Sequence, residues 1–433
     1  MCGFSGFIGS IDNPEQKLLK SLKLLNHRGP DMSGHLFIKE KNMGFAHNRL
    51  SIIDTSKNAI QPFIDNNENI LVYNGELYNS DYIKKKLNSA NQINWKSSSD
   101  TEILFYSLVK FGVDKTLDMI EGMFAFAFFS SKNQSLYLAR DIAGEKPLYY
   151  SNINNTLIFS SETKPLLMLS NKEKIIPKML ENHINANFNI FNKTIYNNIK
   201  ALRPGSFLKY NLSNKTLNLK KYWSYEKKFL KINNNKNFKN NFNNFENILN
   251  QAVHSQLVSD VPIGTFMSGG LDSTLISLIA TKYNKNLDIY SLGYEDKNYD
   301  ESSKAEKIAK YLGQRFKKII LKPDQLPNLF NNFIKKLDLP HTDQSDICLY
   351  YLCNEAVKTS KVILTGDGGD ELFAGYNRHI WINKVLNMKY LTRKFLYFSI
   401  SPISIKIINI LNNLMLDNHR LLDFESKIYK LKK

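Results

Sequence analysis

The chain has 433 residues, a length that predicts two or three domains. Hydrophobic residues make up 42% of it and aromatic residues 12%, which excludes a wholly disordered protein. The net charge of +18 comes from lysines spread along the whole chain among many asparagines and isoleucines, so we interpret it as compositional drift and expect no nucleic-acid partner.

The first half is rich in short segments with the composition of β-strands. These segments contain many β-branched and aromatic residues and are bounded by Gly, Asn, Asp or Pro. They span residues 43–54, 69–79, 122–130, 135–144, 147–151 and 155–162. Residues 14–27 and 99–112 instead carry apolar residues at helical spacing, and Ser99 or Asp100 can cap the second helix. Strands interrupted by amphipathic helices predict sheets with helices stacked outside them.

A polar, lysine-rich stretch at 211–240 predicts a connector between two domains, 2–210 and 241–433. After it, helix-like and strand-like segments alternate: helix 241–259, strand 261–270, helix 272–283, strand 287–294, helix 300–313 and strand 316–321. An apolar strand entering a glycine turn follows at 361–373. This alternation predicts an open parallel sheet that binds its ligand at the C-terminal ends of the strands.

Two glycine-rich turns follow predicted strands of that sheet. In the first, "SGGLDS" (268–273), Gly269 and Gly270 let the backbone approach an anion at a helix N-terminus. Asp272 would repel phosphate, so we expect it to hold Mg²⁺, which bridges phosphate oxygens. In the second, "LTGDGGDELF" (364–373), Asp370 could complete a Mg²⁺ pair with Asp272. Taken alone, this second stretch could also be a Ca²⁺ loop or a plain turn.

Cys2 stands directly behind the initiator methionine, where it is either a buried thiol or an N-terminal nucleophile whose own α-amine is the base. Asn74 and Gly75 lie on a turn after a predicted strand and could stabilise an oxyanion. Arg49 could clamp the carboxylate of a glutamine substrate, and Glu76 or Asp100 could pair with its ammonium group. Each residue alone is more simply explained as structural, but together they supply the parts for deamidating glutamine.

Nine stretches carry a family resemblance. They are "MCGFSGFIG" (1–9), "HRGPD" (27–31), "HNRLSIID" (47–54), "YNGELYN" (73–79), "SDTE" (99–102), "EGMFAFAFF" (121–129), "ARDIAGEKPLYY" (139–150), "SDVPIGTFMSGGLDS" (259–273) and "LTGDGGDELFAGY" (364–376). In this order they resemble the glutamine-hydrolysing asparagine synthetases. The resemblance implies an α+β N-terminal-nucleophile sandwich (αββα) at 2–210, followed by an α/β domain with a parallel sheet of the ATP-pyrophosphatase type.

The resemblance also implies roles for particular residues. Cys2 would be the nucleophile and Asn74 with Gly75 the oxyanion hole, while Asp367 occupies the position tied to forming the acyl-adenylate. The glutamine contacts would be Arg49, Leu50, Ser51, Ile52, Ile53, Asn74, Gly75, Glu76 and Asp100. The ATP contacts would be Phe266, Ser268, Gly269, Gly270, Leu271, Asp272, Ser273, Leu292, Thr365 and Gly366.

The implied reaction is a carbon–nitrogen ligation with glutamine as the amide donor. ATP activates aspartate as β-aspartyl-AMP in a Mg²⁺-dependent step, and channelled ammonia attacks it. The partners are then glutamine, aspartate and ATP, with a homodimer left open. The three cysteines form no disulfide framework, and no secretory signal or apolar stretch of about 20 residues stands out, so we expect a cytoplasmic protein without a membrane span.

Three departures from the family pattern leave alternatives to aspartate-dependent asparagine synthesis open. Asp367 replaces a common Glu; residues 337–351 differ from the best-known aspartate-binding versions; and the chain ends at Lys433 without the family's later "PFLD"-like segment. The first alternative is a glutamine-dependent amidotransferase acting on another carboxylate, such as a sugar acid of a surface polysaccharide. The second is a glutaminase with an incomplete, apparently truncated synthetase half.

Overall fold

A computed structural model describes residues 1–89, 93–170, 173–186, 192–226, 238–296, 300–341, 343, 345–390 and 392. Residues 227–237 of the predicted connector and residues 391 and 393–433 of the predicted second domain lie outside this description. The chain divides into two compact units, Met1–Thr365 and Gly366–Lys433. The domain boundaries expected near residues 210 and 240 stay a prediction.

The described residues form sixteen strands and twelve α-helices. The strands are β1 (Gly3–Ile8), β2 (Met32–Ile38), β3 (Met43–Arg49), β4 (Phe63–Ile64), β5 (Ile70–Leu77), β6 (Gly122–Ser130), β7 (Ser135–Arg140), β8 (Tyr149–Ile153), β9 (Thr156–Ser160), β10 (Lys200–Ala201), β11 (Ser206–Asn211), β12 (Leu217–Lys221), β13 (Ile263–Phe266), β14 (Asp288–Tyr294), β15 (Arg315–Leu321) and β16 (Val362–Leu364). The helices are α1 (Pro14–Leu25), α2 (Ser80–Asn88), α3 (Asp100–Met119), α4 (Thr163–Ser170), α5 (Pro177–Ala186), α6 (Phe238–Ser255), α7 (Leu271–Tyr283), α8 (Ser302–Tyr311), α9 (Leu326–Lys336), α10 (Ser345–Ala356), α11 (Gly369–Phe373) and α12 (Asn377–Leu386).

The first half of the chain forms two antiparallel sheets. Their strand orders are β10–β8–β9–β1–β3–β2 and β12–β11–β7–β6–β5–β4. Strand β12 pairs with β11 and so extends the second sheet into the stretch predicted as a connector. The two sheets pack face to face, with α1 and α4 covering the first and α2 and α3 covering the second. The predicted αββα sandwich is confirmed.

Strand β6 shows how the sequence produces these layers. Its phenylalanines Phe124, Phe126 and Phe128 pack on the side of α2 and α3, while Ala125 and Ala127 face the first sheet. Successive side chains of a strand point to opposite faces, so a sheet covered on both sides has apolar residues at every position. This explains why "GMFAFAFFS" is apolar throughout instead of alternating with polar residues.

A third sheet follows in the second half of the chain. It is parallel, with the strand order β15–β14–β13–β16. Helix α7 connects β13 to β14 and helix α8 connects β14 to β15, as the alternating pattern predicts. The predicted parallel α/β architecture is therefore confirmed. Among the residues that the structure describes, no helix has the length and apolar composition needed to cross a membrane.

Candidate active site

A cavity of about 310 Å³ lies where strands β3 and β5 meet the N-terminus of the chain and the first turn of α3. This volume is within the range of small-molecule sites. Its wall contains Met1, Cys2, Arg49, Leu50, Ile52, Ile53, Gln61, Tyr73, Asn74, Gly75, Glu76, Ser99, Asp100, Thr101, Met123, Lys146, Lys361, Val362 and Ile363. The structure thus brings together all the glutamine-contact residues expected from the sequence except Ser51, which is buried behind the wall.

Cys2 lies at the entry to β1, and its thiol meets the backbone at the end of β3. Its Sγ accepts a hydrogen bond from the amide of Leu50 at 3.3 Å and lies 3.7 Å from the carbonyl oxygen of Leu50. Burial raises the pKa of the thiol, so it is protonated at neutral pH and needs a base to become a nucleophile. Burial lowers the pKa of the α-amino group of Met1 to about 6, so an amine held here is neutral at pH 7.

Asn74 and Gly75 lie inside β5, opposite Ala125 and Phe124 of β6, so the predicted turn at these residues is wrong. The strand continues to Leu77 because its pairing with β6 does. Asn74 is 1% exposed, and neither its Oδ1 nor its Nδ2 has a hydrogen-bond partner among the described residues. A buried amide is normally hydrogen-bonded, so this one is available to a ligand in the cavity. Gly75 is required by packing, because a Cβ there would lie 2.3 Å from the carbonyl oxygen of Met123.

Two buried carboxylates face the same cavity. Asp100 is the first residue of α3, and its Oδ2 accepts hydrogen bonds from the Tyr73 hydroxyl and the Leu77 amide, both at 2.9 Å. Burial nevertheless raises the pKa of Asp100. Burial, helped by repulsion from Asp100, raises the pKa of Glu76 to about 7, although Lys146 opposes the shift. An ammonium group bound between these carboxylates would relieve their repulsion.

Arg49 ends β3 and is 4% exposed. Its guanidinium donates to the carbonyl oxygens of Ile53 and Ser56, each at 3.0 Å, and to that of Asp54. The guanidinium therefore holds the loop after β3 in place as well as lining the cavity. Leu50, Ile52 and Ile53 of this loop form part of the cavity wall.

Sequence reasoning gave no site role to several wall residues, namely Gln61, Tyr73, Ser99, Thr101, Met123 and the two sets that follow. Lys146 is 6% exposed and lies within "ARDIAGEKPLYY", a stretch noted for its resemblance but given no role. Val362 and Ile363 begin β16 in the parallel sheet, and Lys361 immediately precedes this strand. Lys361 Nζ lies 2.5 Å from Asp31 Oδ2, which accepts the amide of Ser51 at 2.7 Å. No local signal marks these three residues, because only packing brings them to the cavity.

The predicted phosphate loop follows β13 at the C-terminal edge of the parallel sheet. Gly269 has φ of +82°, a conformation that favours glycine, and Gly270 precedes the first turn of α7 without a side-chain cap. The hydroxyls of Ser268 and Ser273 lie 3.2 Å apart, and Ser268 Oγ accepts the amide of Gly270 at 3.3 Å. Asp272 lies in the first turn of α7. The amides of this turn are therefore available to an anion.

The other predicted ATP contacts of the first unit belong to the same sheet edge. Phe266 is the last residue of β13, Thr365 follows β16, and Leu292 lies within β14. Parallel pairing of β13 with β14 and β16 puts the carboxyl ends of these strands side by side. This is the edge at which open parallel sheets bind ligands.

The second unit contains Gly366, Asp367 and Asp370. Gly368 has φ of +92° and precedes the short helix α11, whose first turn includes Asp370. A Cβ on Gly375 would lie 1.9 Å from Asp370 Oδ1, so the carboxylate occupies the space over this glycine. Within the described ranges, no group of three or more His, Cys, Asp or Glu side chains is placed to hold a metal ion. Mg²⁺ held by one or two carboxylates plus substrate phosphates does not need such a group.

Comparisons with protein-family models match two consecutive parts of the chain. A glutamine amidotransferase domain model matches residues 1–223, and an asparagine synthase model matches residues 244–413. The first model covers half of the chain, including the cavity wall up to Lys146. The second covers the phosphate loop and the wall residues Lys361–Ile363.

Curated relatives are similar in sequence over most of the chain. Asparagine synthetase [glutamine-hydrolyzing] 1 of Bacillus subtilis is 32% identical over 87% of this chain and 59% of its own length. The putative asparagine synthetase 2 of Methanocaldococcus jannaschii is 31% identical over 88% of this chain and 76% of its own. The amidase chyE of Penicillium rubens is 30% identical over 87% of this chain and 59% of its own. The chain therefore spans about three fifths of the length of some of these relatives.

Among solved structures, the glutamine PRPP amidotransferase of B. subtilis is 15% identical, with a TM-score of 0.40 over 80% of this chain and 72% of its own.

Proposed function

The chain belongs to the glutamine-hydrolysing asparagine synthetase family, and from this premise we propose that it transfers the amide nitrogen of glutamine to a carboxylate in an ATP-dependent reaction. The acceptor we propose is the β-carboxylate of aspartate, and the product asparagine. The observation that carries the proposal is the cavity whose wall contains a half-buried thiol, an unpartnered side-chain amide and two carboxylates. A cytoplasmic location, where glutamine and ATP are available, is part of the proposal.

In the first half, we propose that Met1 is removed and Cys2 becomes the N-terminal residue. Its α-amine takes the thiol proton while Sγ forms a bond to the amide carbon of glutamine. The oxyanion accepts hydrogen bonds from the side chain of Asn74 and the amide of Gly75. The C–N bond then breaks, ammonia leaves with a proton from the α-ammonium, and water hydrolyses the thioester to glutamate. The lowered pKa belongs to the α-amino group of Met1, and we propose that the Cys2 α-amine left by removal of Met1 acts as the base in the same surroundings.

Glutamine is held by its two α-substituents. We propose that Arg49 meets the α-carboxylate and that Glu76 and Asp100 meet the α-ammonium. Ser51 supports the loop in the cavity wall, because its backbone amide donates a hydrogen bond to the Asp31 carboxylate. Recognition of both charges would select a free amino acid over an amide within a peptide chain.

In the second half, ATP binds against the loop Ser268–Ser273 beside Phe266, Leu292 and Thr365, and activates aspartate as β-aspartyl-AMP with release of pyrophosphate. The anion-binding turn of α7 supports this placement. From the second unit, Gly366 contributes to nucleotide binding and Asp367 to formation of the adenylate. Mg²⁺, which neutralises phosphate charge when bound, would be held by Asp272 and Asp370.

Ammonia must reach the adenylate without becoming ammonium, because only the neutral molecule is nucleophilic. The apolar side chains of Val362 and Ile363 in the cavity wall support an exit on this side. These residues begin β16, whose other end leads to Thr365. We propose that the released ammonia leaves the cavity past this wall.

A coupled assay tests the proposal. Glutamine, Mg-ATP and aspartate are supplied, and glutamate, pyrophosphate and asparagine are measured together. Equal amounts of the three products are expected, and glutamate release without aspartate-dependent pyrophosphate would contradict the aspartate assignment. The variant Cys2→Ala should lose glutamine use and keep ammonia-dependent pyrophosphate release. Mass spectrometry of the purified chain should find Cys2 at the N-terminus; retained Met1 contradicts the nucleophile role.

A second candidate changes only the acceptor. Some relatives at about the same identity carry the name amidase, and residues 337–351 depart from the best-known aspartate-binding versions. We infer that another carboxylate, such as a sugar acid, is the alternative acceptor. Pyrophosphate release measured with a panel of carboxylates in place of aspartate distinguishes the two candidates.

A further inference from the structure

The segment 335–340, which belongs to the second half of the sequence, binds the start of α4 in the first half. Asp338 accepts hydrogen bonds at Oδ2 from the amide of Thr163 (2.7 Å) and at Oδ1 from the Thr163 hydroxyl (3.1 Å) and the amide of Lys164 (3.0 Å). The first amides of a helix have no partner within the helix, so this carboxylate acts as their cap. The cap comes from a residue 175 positions along the chain.

Two further bonds hold the segment against the first half. The side chain of Lys164 donates to the carbonyl oxygen of Lys335 at 3.2 Å. The ring of His183, on α5, meets the carbonyl oxygen of Pro340 at 2.5 Å. The segment is therefore anchored at both ends, with Asp338 between the anchors.

The capped helix begins one residue after Glu162, which belongs to a second set of bonds. Glu162 Oε1 accepts from Arg28 Nη1 at 3.1 Å and lies 2.9 Å from the ring nitrogen Nε2 of His27. The Nε of Arg28 donates to the carbonyl oxygen of Cys2 at 3.0 Å. Asp338 is therefore connected to the backbone of Cys2. Hydrogen bonds join Asp338 to the start of α4, the chain joins α4 to Glu162, and hydrogen bonds join Glu162 to Arg28 and Arg28 to Cys2.

The electrostatics of this series fit a positioning role. The side chain of Glu162 is 7% exposed, and interaction with His27 and Arg28 keeps its pKa below the usual value despite burial. Burial raises the pKa of Asp338, and the Glu162 carboxylate adds to that shift. Each of the two carboxylates has its own hydrogen-bond donors, which offset their mutual repulsion. The donors to Asp338 are the amides of α4, and those to Glu162 are Arg28 and His27.

We propose that Asp338 is a positioning residue for glutamine hydrolysis: it fixes the start of α4 and Glu162, and through Arg28 it fixes the backbone of Cys2. This inference rests on the proposed function, in which Cys2 is the nucleophile. Asp338 immediately precedes residues 339–351, most of the stretch whose sequence departs from aspartate-binding relatives. A substitution within residues 339–351 that moves Asp338 would therefore also move the thiol of Cys2.

The test compares Asp338→Asn and Asp338→Ala with the unaltered full-length chain and with Asp324→Asn. Asp324 is an exposed aspartate of the same half and serves as the matched control. Glutamate release without ATP gives kcat and KM for glutamine, and the rate at which a chloromethyl ketone analogue of glutamine alkylates Cys2 reports thiol placement directly. Ammonia-dependent pyrophosphate release monitors the second half.

The expected result is a loss in kcat and in the alkylation rate of roughly 10- to 100-fold, the effect of a small misplacement of a reacting group. The KM for glutamine should change by less than about twofold, because Arg49, Glu76 and Asp100 are untouched. Asp338→Glu, which keeps the carboxylate, should restore part of kcat. A purely structural role would instead lower the amount of folded protein without this division between kcat and KM.

A folded Asp338→Ala variant with the kcat and alkylation rate of the unaltered chain would overturn the inference, because alanine offers no oxygen to cap α4. Thr163→Val keeps the test decisive if Asp338→Ala does not fold, because it removes only the 3.1 Å bond. If Asp338→Ala folds, the effect of Thr163→Val should disappear in its background, since alanine has no oxygen to accept that hydrogen bond. Failure of the proposed function looks different, because then the unaltered chain itself releases no glutamate.

Discussion

Replacing Glu76 by Gln should make the stability of the protein less dependent on pH. Glu76 is 9% exposed, and its pKa is raised from 4.5 to about 7 by burial and by Asp100. Between these two values the folded chain holds a proton that the unfolded chain releases. Stability therefore falls as pH rises through this window, and the loss is complete above the folded pKa. Gln has the same shape and carries no charge, so the variant lacks this loss.

The magnitude follows from the two pKa values. One unit corresponds to about 1.36 kcal/mol, so this carboxylate costs the folded state about 0.8 kcal/mol at pH 5 and about 3.3 kcal/mol at pH 8. The unaltered chain should thus lose about 2.5 kcal/mol more than Glu76→Gln between these pH values. In thermal melts this is a relative shift of roughly 5–10 °C for a domain of this size.

The assay is urea unfolding of both chains at pH 5 and pH 8, with the exposed Glu121→Gln as a matched control. Equal pH dependence of Glu76→Gln and Glu121→Gln would refute the reasoning. Glutamine binding gives an independent readout, since the ammonium group needs an ionised partner. The KM of the unaltered chain for glutamine should rise below pH 7, whereas that of Glu76→Gln should be higher throughout and flatter with pH.

Three other predictions concern single residues. Asn74→Ala should lower kcat for glutamate release by roughly 10²–10³ with little change in KM, and an unchanged kcat would exclude it from the oxyanion hole. Gly75→Ala should lower stability by roughly 1–3 kcal/mol in thermal melts, because its Cβ meets the Met123 carbonyl; an equal Tm would contradict this. Asp272→Asn should raise the KM for Mg-ATP by roughly tenfold while glutaminase activity persists; loss of both activities would contradict separate sites.

Much of the cavity could be predicted from short stretches of sequence. Arg49 ends a strand and Asp100 begins a helix, where a local pattern marks both the element and its end, whereas Asn74 lies inside β5. Once the strands are assigned to stacked sheets, these ends converge near Cys2. The apolar character of β6 likewise indicates a sheet covered on both sides, which the sandwich bears out.

Other features could not be predicted because they depend on packing between distant segments. Lys361 and Asp338 contact residues more than 170 positions away, and nothing in their own neighbourhood marks those contacts. The guanidinium of Arg49 binds loop carbonyls because the chain turns back on itself after β3, a conformation that composition does not specify. The helix predicted to end at Gly112 does break there, since Gly112 has φ of +78° and ψ of 167°, but the second helical segment, which continues to Met119, is not predicted by the periodicity.

Lys361, Val362 and Ile363 belong to the second half of the sequence but form part of the cavity wall. They therefore limit which segments can be exchanged between related proteins in a chimaera. The loop after β3 is also tied to the second half by the bond from the Asp260 amide to the Ile52 carbonyl, at 3.0 Å. A chimaera that exchanges the second half for one with a new acceptor specificity would replace this wall along with the acceptor site. Chimaeras that keep residues 258–262 and 361–363 of the original parent should keep the wall of the glutamine cavity intact. Chimaeras joined at the connector should lose this wall and release ammonia to solvent.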